Sequence, residues 1–320
     1  MTDQAIVNPS HRVAEISYER TARANCLELF RRIRASENIA FHRRMACALF
    51  IVLTVSFVGC KLTQIHTDVS GRVIAIVVMF AMVSPLPLYW NERGRIELRE
   101  GALVILWGLL FAAVLSFPVL IAARLRFPLQ DSLFGRIDES LGVRVPGIVG
   151  WANQHWLGTL INGSYPYLLP LLAAAGFAPA LMGHMKRARE FVLANLVAFA
   201  IGLPLFAVLP AVGPWNYYHL APASLQAACE AQLFSLRLPG PYMFQEQSAG
   251  IICFPSFHVI WAILCAAALR DYRPLRVPAV LLSAMIVAST LTTGWHYVTD
   301  VLGGIGVAVL AMAIARIYAV

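Results

Sequence analysis

The sequence predicts an all-α membrane protein, a polytopic helical bundle with about eight transmembrane helices. Of its 320 residues, 59% are hydrophobic and only 13% are charged, whereas a soluble domain carries about 25% charged residues. The apolar residues also fall in long runs, and a helix of about 20 apolar residues spans a bilayer. The candidate spans are residues 45–62, 73–90, 101–123, 164–183, 191–212, 255–269, 277–295 and 297–316.

The segment before the first span differs in composition from the rest of the chain. Residues 1–44 are charged, and residues 45–320 are interpreted as one transmembrane domain. Within the first segment, residues 12–35 mix apolar side chains with arginines, a pattern typical of a basic amphipathic helix on the inner leaflet. A solvated tail that only enforces topology is the alternative. No short apolar core with a cleavage site precedes the first span, so we expect no signal peptide.

The positive charges predict the orientation. Most of the 25 Lys and Arg residues lie in four segments outside the spans, residues 1–44, 91–100, 184–190 and 270–276. The positive-inside rule therefore places the N- and C-termini in the cytoplasm. The net charge of +8 is explained by topology, so we expect the bilayer as partner and no nucleic acid. The expected location is a plasma membrane or bacterial inner membrane.

Two long segments, residues 124–163 and 213–254, then lie on the outer or periplasmic side. Trp151 and Trp156 predict that the first packs at the membrane interface. Cys229 and Cys253 fall in the second, where a disulfide suits the compartment, although the sequence does not show whether their backbones approach. No CxxC or similar spacing is present, so we expect neither a metal site nor a cofactor.

Ionisable residues open two of the spans at the outer surface. Ser256 and His258 begin the sixth span, and ionisable groups at membrane depth indicate function because they are costly there. Pro255 suits the first helical position, where its missing N–H costs nothing. The free N–H groups of Ser256, Phe257 and His258 would then face outward and form an anion site.

His296 and Asp300 begin the eighth span, four residues apart and hence on one helix face. The carboxylate can hold one imidazole nitrogen as N–H and leave the other free for nucleophilic attack. His258 can donate a proton to a departing alkoxide, because histidine titrates near working pH. The two span openings together predict a catalytic site, whereas either alone is typical of a structural residue.

These residues resemble the type-2 phosphatidic acid phosphatase superfamily, whose members share a six-helix core. The resemblance covers roughly residues 195–316, where Pro255, Ser256 and His258 match the family's second motif and His296 and Asp300 end its third. It implies that His296 becomes phosphohistidine, that Asp300 orients it and that His258 donates a proton. Ser256 would bind phosphate, and no metal is implied.

The sequence departs from the family pattern at two cationic positions. Ser289 matches the start of the third motif, but Thr290 replaces its arginine, and the first motif is absent because Lys61 and Lys186 are the only lysines. The Pro-rich stretch with Trp215 in its place resembles the branch containing fungal inositol phosphorylceramide synthase. Candidate replacement cations on the outer side are Arg124, Arg126, Arg136, Arg144, Arg237 and His155.

Three functions follow from these patterns. The first is hydrolysis of a lipid phosphate or diphosphate, and the second is transfer of a phosphate-containing head group to the hydroxyl of an acceptor lipid. The third is a non-enzymatic transporter, which would need titratable residues spread across the membrane depth. A lipid substrate would enter laterally past apolar residues, namely Phe254, Phe257, Trp295 and Tyr297. Candidate substrate-binding residues are Ser256, Pro255, Phe257, Trp215 and Tyr297.

Overall fold

The computed structural model describes residues 39–67, 78, 81–244 and 250–319. They form an all-α bundle that is about 79% helical, which confirms the predicted fold class. The predicted amphipathic segment at 12–35 lies outside the described residues, as does the first part of the predicted span at 73–90, apart from residue 78.

The described chain contains helices of very different lengths. In chain order they are α1 (Ile39–Leu62), α2 (Pro85–Glu92), α3 (Ile96–Val114), α4 (Ser116–Arg124), α5 (Asp131–Ser140), α6 (Val145–Gln154), α7 (Trp156–Gly163), α8 (Leu168–Leu181), α9 (Met185–Val208), α10 (Pro214–Tyr217), α11 (Ser224–Arg237), α12 (Phe257–Leu269), α13 (Arg273–Thr292) and α14 (Val298–Tyr318). A 3₁₀ turn, Tyr165–Tyr167, precedes α8. Two short parallel strands, β1 (Ile65–Thr67) and β2 (Tyr242–Phe244), pair with Ile65 opposite Tyr242.

Six helical stretches of the described chain are long and apolar enough to cross a membrane: Ile39–Leu62, Ile96–Arg124, Trp156–Leu181, Met185–Val208, Arg273–Thr292 and Val298–Tyr318. The apolar helix α12 is shorter. Each corresponds to a predicted span, with shifted ends. The stretch Ile96–Arg124 begins earlier than the predicted span at 101–123, because Arg99 and Glu100 form a buried ion pair of 2.7 Å. The predicted span at 191–212 ends instead at Val208, two residues before Pro210, in keeping with the restricted backbone before a proline.

The two predicted outer segments contain helices. Residues 124–163 fold into α5, α6 and α7, and residues 213–254 hold α10 and α11. These helices are too short to span a bilayer. They cover the end of the bundle at which α9 and α13 end and α12 and α14 begin.

The core around that end depends on close contact between α12 and α14. Gly304 of α14 lies so near the start of α12 that a Cβ there would sit 2.8 Å from the carbonyl oxygen of Ser256. Helix α14 also packs along α9, and α12 contacts α8 and α13. The absence of a side chain at Gly304 therefore allows the starts of α12 and α14, which carry the candidate catalytic groups, to pack closely.

The opposite end of the bundle is marked by the meeting of its first and last described helices. The Arg44 guanidinium, near the start of α1, donates to the carbonyl of Tyr318 at the end of α14. Helix α14 has 21 residues and is therefore about 30 Å long. The first and last described helices thus meet about one bilayer thickness from His296.

A polar network is buried at the same opposite end. His42 Nε2 lies 3.0 Å from a Glu100 oxygen, and Trp107 Nε1 donates to His42 Nδ1 at 3.0 Å. Because an indole only donates, Nδ1 must be the acceptor and the His42 proton lies on Nε2, facing Glu100. The network therefore joins α1 to α3 through a neutral imidazole.

Candidate active site

His296 lies in the turn between α13 and α14 and is 3% exposed. The turn passes through Gly294, whose φ of +73° favours glycine. The backbone N–H groups of Trp295 and His296 both donate to the carbonyl of Thr290 at 3.1 Å. The imidazole is therefore held on a backbone anchored to α13.

Asp300 lies beside this imidazole, as the sequence predicts. Its Oδ2 is 3.3 Å from His296 Nδ1, and its side chain is fully buried. The same oxygen accepts the N–H of Tyr297 at 2.8 Å and the thiol of Cys253 at 3.1 Å. An ionised carboxylate only accepts hydrogen bonds. Nδ1 of His296 therefore carries the proton, and Nε2 is the nitrogen with a free lone pair.

The start of α12 differs from the prediction. Ser256, not Pro255, is the residue before the helix, and its hydroxyl accepts the N–H of Val259 at 3.4 Å. The N–H of Ser256 is not free, because it donates to the carbonyl of Asp300 at 3.1 Å. The first-turn N–H groups of Phe257 and His258 have no acceptor within the helix. Of the three predicted anion-binding N–H groups, those of Phe257 and His258 therefore remain candidates.

His258 lies on the first turn of α12, with its ring centroid 6.0 Å from that of His296. The ring stacks on Tyr165 at 4.5 Å. Both histidines line the same cavity. The structure therefore brings the predicted nucleophile, its carboxylate and the predicted proton donor together, although 38 residues separate the two histidines in the chain.

Cys253 adds a buried thiol next to the pair. Burial, reinforced by the Asp300 carboxylate, raises the pKa of the Cys253 thiol well above its usual range. Burial also raises the pKa of the Cys229 thiol, to about 11. Both thiols are free, so the structure does not contain the disulfide that the sequence left open.

The same neighbourhood is where a metal ion would find ligands. Ligand atoms of Cys253, His296 and Asp300 lie within 4.8 Å of one another, the one such group found in the described residues. The hydrogen bonds from the thiol and the imidazole to Asp300 account for this approach without an ion. The sequence predicts no metal site, and that remains a prediction.

Two buried carboxylates that the sequence did not assign to the site hold its frame. Asp138 of α5 is fully buried and accepts the N–H groups of Val298 and Thr299 at 2.7 and 3.0 Å, and the Thr299 hydroxyl at 2.7 Å. It thereby caps the first turn of α14, where a negative charge also interacts favourably with the helix dipole. Asp138 thus fixes the start of the helix that carries Asp300.

The second carboxylate, Asp131, connects the other parts of the frame. It accepts the N–H groups of Val212 and Gly213 at 3.1 and 2.9 Å. The hydroxyl of Tyr297 lies 3.0 Å from the same carboxylate. Tyr297 is completely buried by these contacts and is absent from the cavity wall. Tyr297, predicted to bind substrate, is therefore held by Asp131 and is not among the residues that line the cavity.

The cavity beside His258 and His296 has a volume of about 620 Å³, within the range of small-molecule sites. Its far part is apolar and lies between α3, α8 and α9, with residues such as Leu109, Leu172 and Leu196. Of the predicted substrate-binding residues, Phe257 and Trp215 line it. Pro255 and Ser256 are not among the lining residues, and neither is Phe254, whose ring centroid lies 4.9 Å from that of Phe134.

No lysine or arginine of the described chain lines the cavity. The Arg124 guanidinium donates instead to backbone carbonyls, those of Thr63, Leu236, Leu238 and Gly240. The other candidate cations are absent from the wall as well, and these are Arg126, Arg136, Arg144, Arg237 and His155. Thr290, at the family's arginine position, turns its hydroxyl to the carbonyl of Val287 at 2.7 Å. Among the described residues, none of the candidate cations therefore replaces the missing phosphate-binding cations at the cavity wall.

An aromatic wall with one carboxylate occupies the space instead. Tyr165 stacks on Trp295 at 6.1 Å, and Trp295 meets Trp215 edge to face at 5.8 Å. Trp215 Nε1 donates to an oxygen of Glu230 at 2.8 Å. All four residues line the cavity. Tyr165 and Glu230 were not predicted, because neither belongs to a recognisable spacing.

Comparison with known proteins identifies the family of the chain. A family described as the PAP2 superfamily matches residues 133–314, so the match begins well before the residues that carry the motifs and includes most of α5. No curated protein and no solved structure shows significant similarity to the chain. Because the family match covers more than half of the sequence and contains both histidines and Asp300, the chain belongs to the PAP2 superfamily.

Proposed function

We propose that this protein is an integral membrane lipid phosphatase that cleaves a lipid phosphate ester through a phosphohistidine at His296. Members of its superfamily are phosphoesterases or phosphotransferases. The observation that carries the proposal is the position of His296, which lines the cavity while its Nδ1 faces Asp300 at 3.3 Å. Nε2 is then the nucleophile, and the buried carboxylate stabilises the positive charge that develops on the imidazole.

The reaction has two balanced steps. In the first, His296 Nε2 forms a bond to phosphorus as the bond to the lipid oxygen breaks, and His258 gives that oxygen a proton. In the second, His258 takes a proton from water, whose oxygen displaces His296 from phosphorus. The 6.0 Å between the two ring centroids leaves space for a phosphoryl group, since reacting atoms approach to about 3–3.5 Å.

The second candidate is transfer to the hydroxyl of another lipid instead of water. The cavity favours it because no lysine or arginine of the described wall stabilises a doubly charged phosphate. A phosphodiester, the form in which a head group is transferred, carries only one negative charge. The resemblance of the Trp215 stretch to inositol phosphorylceramide synthases supports the same candidate.

We also propose that the site faces the outer or periplasmic side, with both termini in the cytoplasm. Several arginines, among them Arg44, Arg187 and Arg316, lie at the end of the bundle where α1 begins and α14 ends. The positive-inside rule makes that end cytoplasmic. The substrate's tails would occupy the apolar part of the cavity.

Activity of the purified protein in detergent micelles tests the proposal. A panel of lipid phosphates is incubated with and without acceptor lipids, and free phosphate and lipid products are both followed. The expected result is release of phosphate from a monoester, or of a phosphorylated head group from a phosphodiester, that His296→Ala and Asp300→Ala abolish. A new phospholipid that forms only with acceptor would establish the transferase instead. Turnover that survives His296→Ala would overturn both.

A further inference from the structure

We propose that the aromatic wall and Glu230 form a subsite for a cationic head group, so that the substrate is a zwitterionic phosphodiester lipid carrying an ammonium. The inference rests on the proposed function, which places the phosphorus at His296. It goes further by naming the chemistry on the other side of the phosphate.

The charge of the cavity is the first argument. Among the described residues of its wall, Glu230 is the one acidic residue, and none is a lysine or an arginine. Within the described chain, the Glu230 carboxylate accepts a hydrogen bond from the indole N–H of Trp215 and takes part in no ion pair. A phosphate dianion would enter a wall whose charged group repels it. A zwitterion brings a positive charge to Glu230, which compensates that partly buried carboxylate, and only a single negative charge to the histidines.

The aromatic residues are the second argument. The rings of Tyr165, Trp295 and Trp215 form one continuous surface, with centroid separations of 6.1 and 5.8 Å. Indole and phenol faces attract quaternary and primary ammonium groups, and desolvated contacts of this kind contribute about 2 kcal/mol or more. A carboxylate beside such a surface supplies the counter-charge without a second cation.

The position of this surface relative to the catalytic groups is the third argument. Tyr165 stacks on His258 at 4.5 Å, and His258 lies 6.0 Å from His296. The ammonium subsite therefore begins directly beside the proposed proton donor. A phosphorus at His296 and an ammonium near Trp215 match a head group in which a short linker joins the two charges. The lipid tails then extend into the apolar part between α3, α8 and α9.

Binding measured without turnover tests the inference. The protein in maltoside micelles is mixed with lipids of identical acyl chains, and bound lipid is counted by native mass spectrometry. The probes are phosphatidylcholine, phosphatidylethanolamine, phosphatidylglycerol and phosphatidic acid. We expect the unmodified protein to retain the two ammonium lipids about tenfold better than phosphatidylglycerol. Equal retention of all four lipids would overturn the inference, and this comparison needs no variant.

Variants then assign the preference to Glu230. Glu230→Gln should lower phosphatidylcholine retention about tenfold and leave phosphatidylglycerol retention unchanged, whereas Glu230→Asp should keep the preference. Glu139→Gln is the matched control, because Glu139 is exposed and outside the cavity wall. Unchanged phosphatidylcholine retention by Glu230→Gln would contradict the assignment.

The same lipids separate this inference from the proposed function. If the protein binds ammonium lipids preferentially but shows no turnover that depends on His296, the subsite stands and the catalytic proposal falls. If turnover depends on His296 but is fastest with phosphatidic acid, and ammonium lipids do not bind preferentially, the catalytic proposal stands and the subsite falls.

Discussion

Replacing Asp138 with asparagine tests whether this buried carboxylate fixes the start of α14. The carboxylate accepts three hydrogen bonds, from the Val298 and Thr299 N–H groups and from the Thr299 hydroxyl, at 2.7–3.0 Å. Asparagine keeps one acceptor oxygen, so at least one of these donors loses its partner. A hydrogen bond to a charged group contributes about 1.5–3 kcal/mol, and a negative charge at a helix start about 0.3–1 kcal/mol more.

The expected loss of stability for Asp138→Asn is therefore about 2–4 kcal/mol. Thermal unfolding in detergent should show a Tm lower by about 4–16 °C, on the scale of about 2–4 °C per kcal/mol for large domains. The hydrolysis rate at a temperature well below that Tm should also fall, because Asp300 follows the capped turn. KM should change less than kcat if the effect is on positioning.

Glu139→Gln is the matched control for Asp138→Asn. Glu139 follows Asp138 in the chain, and its ion pair with Arg144 is exposed, with the arginine side chain 73% accessible. Exposed pairs contribute about 0–1 kcal/mol, so its Tm should stay near that of the unmodified protein. Equal Tm values for the two variants would refute the role assigned to Asp138.

Two further predictions concern packing and thiol chemistry. Gly304→Ala should lower the Tm and the activity, because the added Cβ would lie 2.8 Å from the Ser256 carbonyl oxygen. The control Gly306→Ala should leave both unchanged, because a Cβ there would have nothing within 4 Å. Equal effects of the two substitutions would contradict the α12–α14 contact. The raised pKa of Cys253 keeps its thiol neutral until the pH exceeds the usual thiol range. The folded protein should therefore show almost no maleimide modification of Cys253 from pH 7 to 9 by peptide mass spectrometry, whereas the denatured protein reacts. Rapid labelling of the folded chain at pH 7 would contradict its burial.

Hydropathy and short-range residue spacing predict the spanning helices and much of the candidate site. Long apolar runs identify the spanning helices because a bilayer demands about 20 apolar residues per helix. The spacing of His296 and Asp300 predicts their contact, because residues four apart share one helix face. The meeting of His258 with His296 follows from topology, since both begin spans at the same surface.

The rest depends on contacts between distant parts of the chain. Asp138 meets Val298 across 160 positions, and no local pattern indicates that pairing. The sequence makes Arg124 a candidate phosphate ligand, but its guanidinium donates hydrogen bonds to backbone carbonyls, among them those of Leu236 and Leu238. The start of α12 at Phe257 instead of Pro255 reflects the bond from the Ser256 N–H to Asp300, which only the packed helices supply.

The most direct test of the central claim is to trap the covalent intermediate. The protein is incubated briefly with a lipid labelled on its phosphorus, quenched in alkali, digested and examined by mass spectrometry. We predict an acid-labile, alkali-stable phosphoryl group, with or without an attached head group, on the peptide containing His296, absent from His296→Ala and reduced in Asp300→Asn. Label on another residue, or undiminished turnover by His296→Ala, would contradict the account.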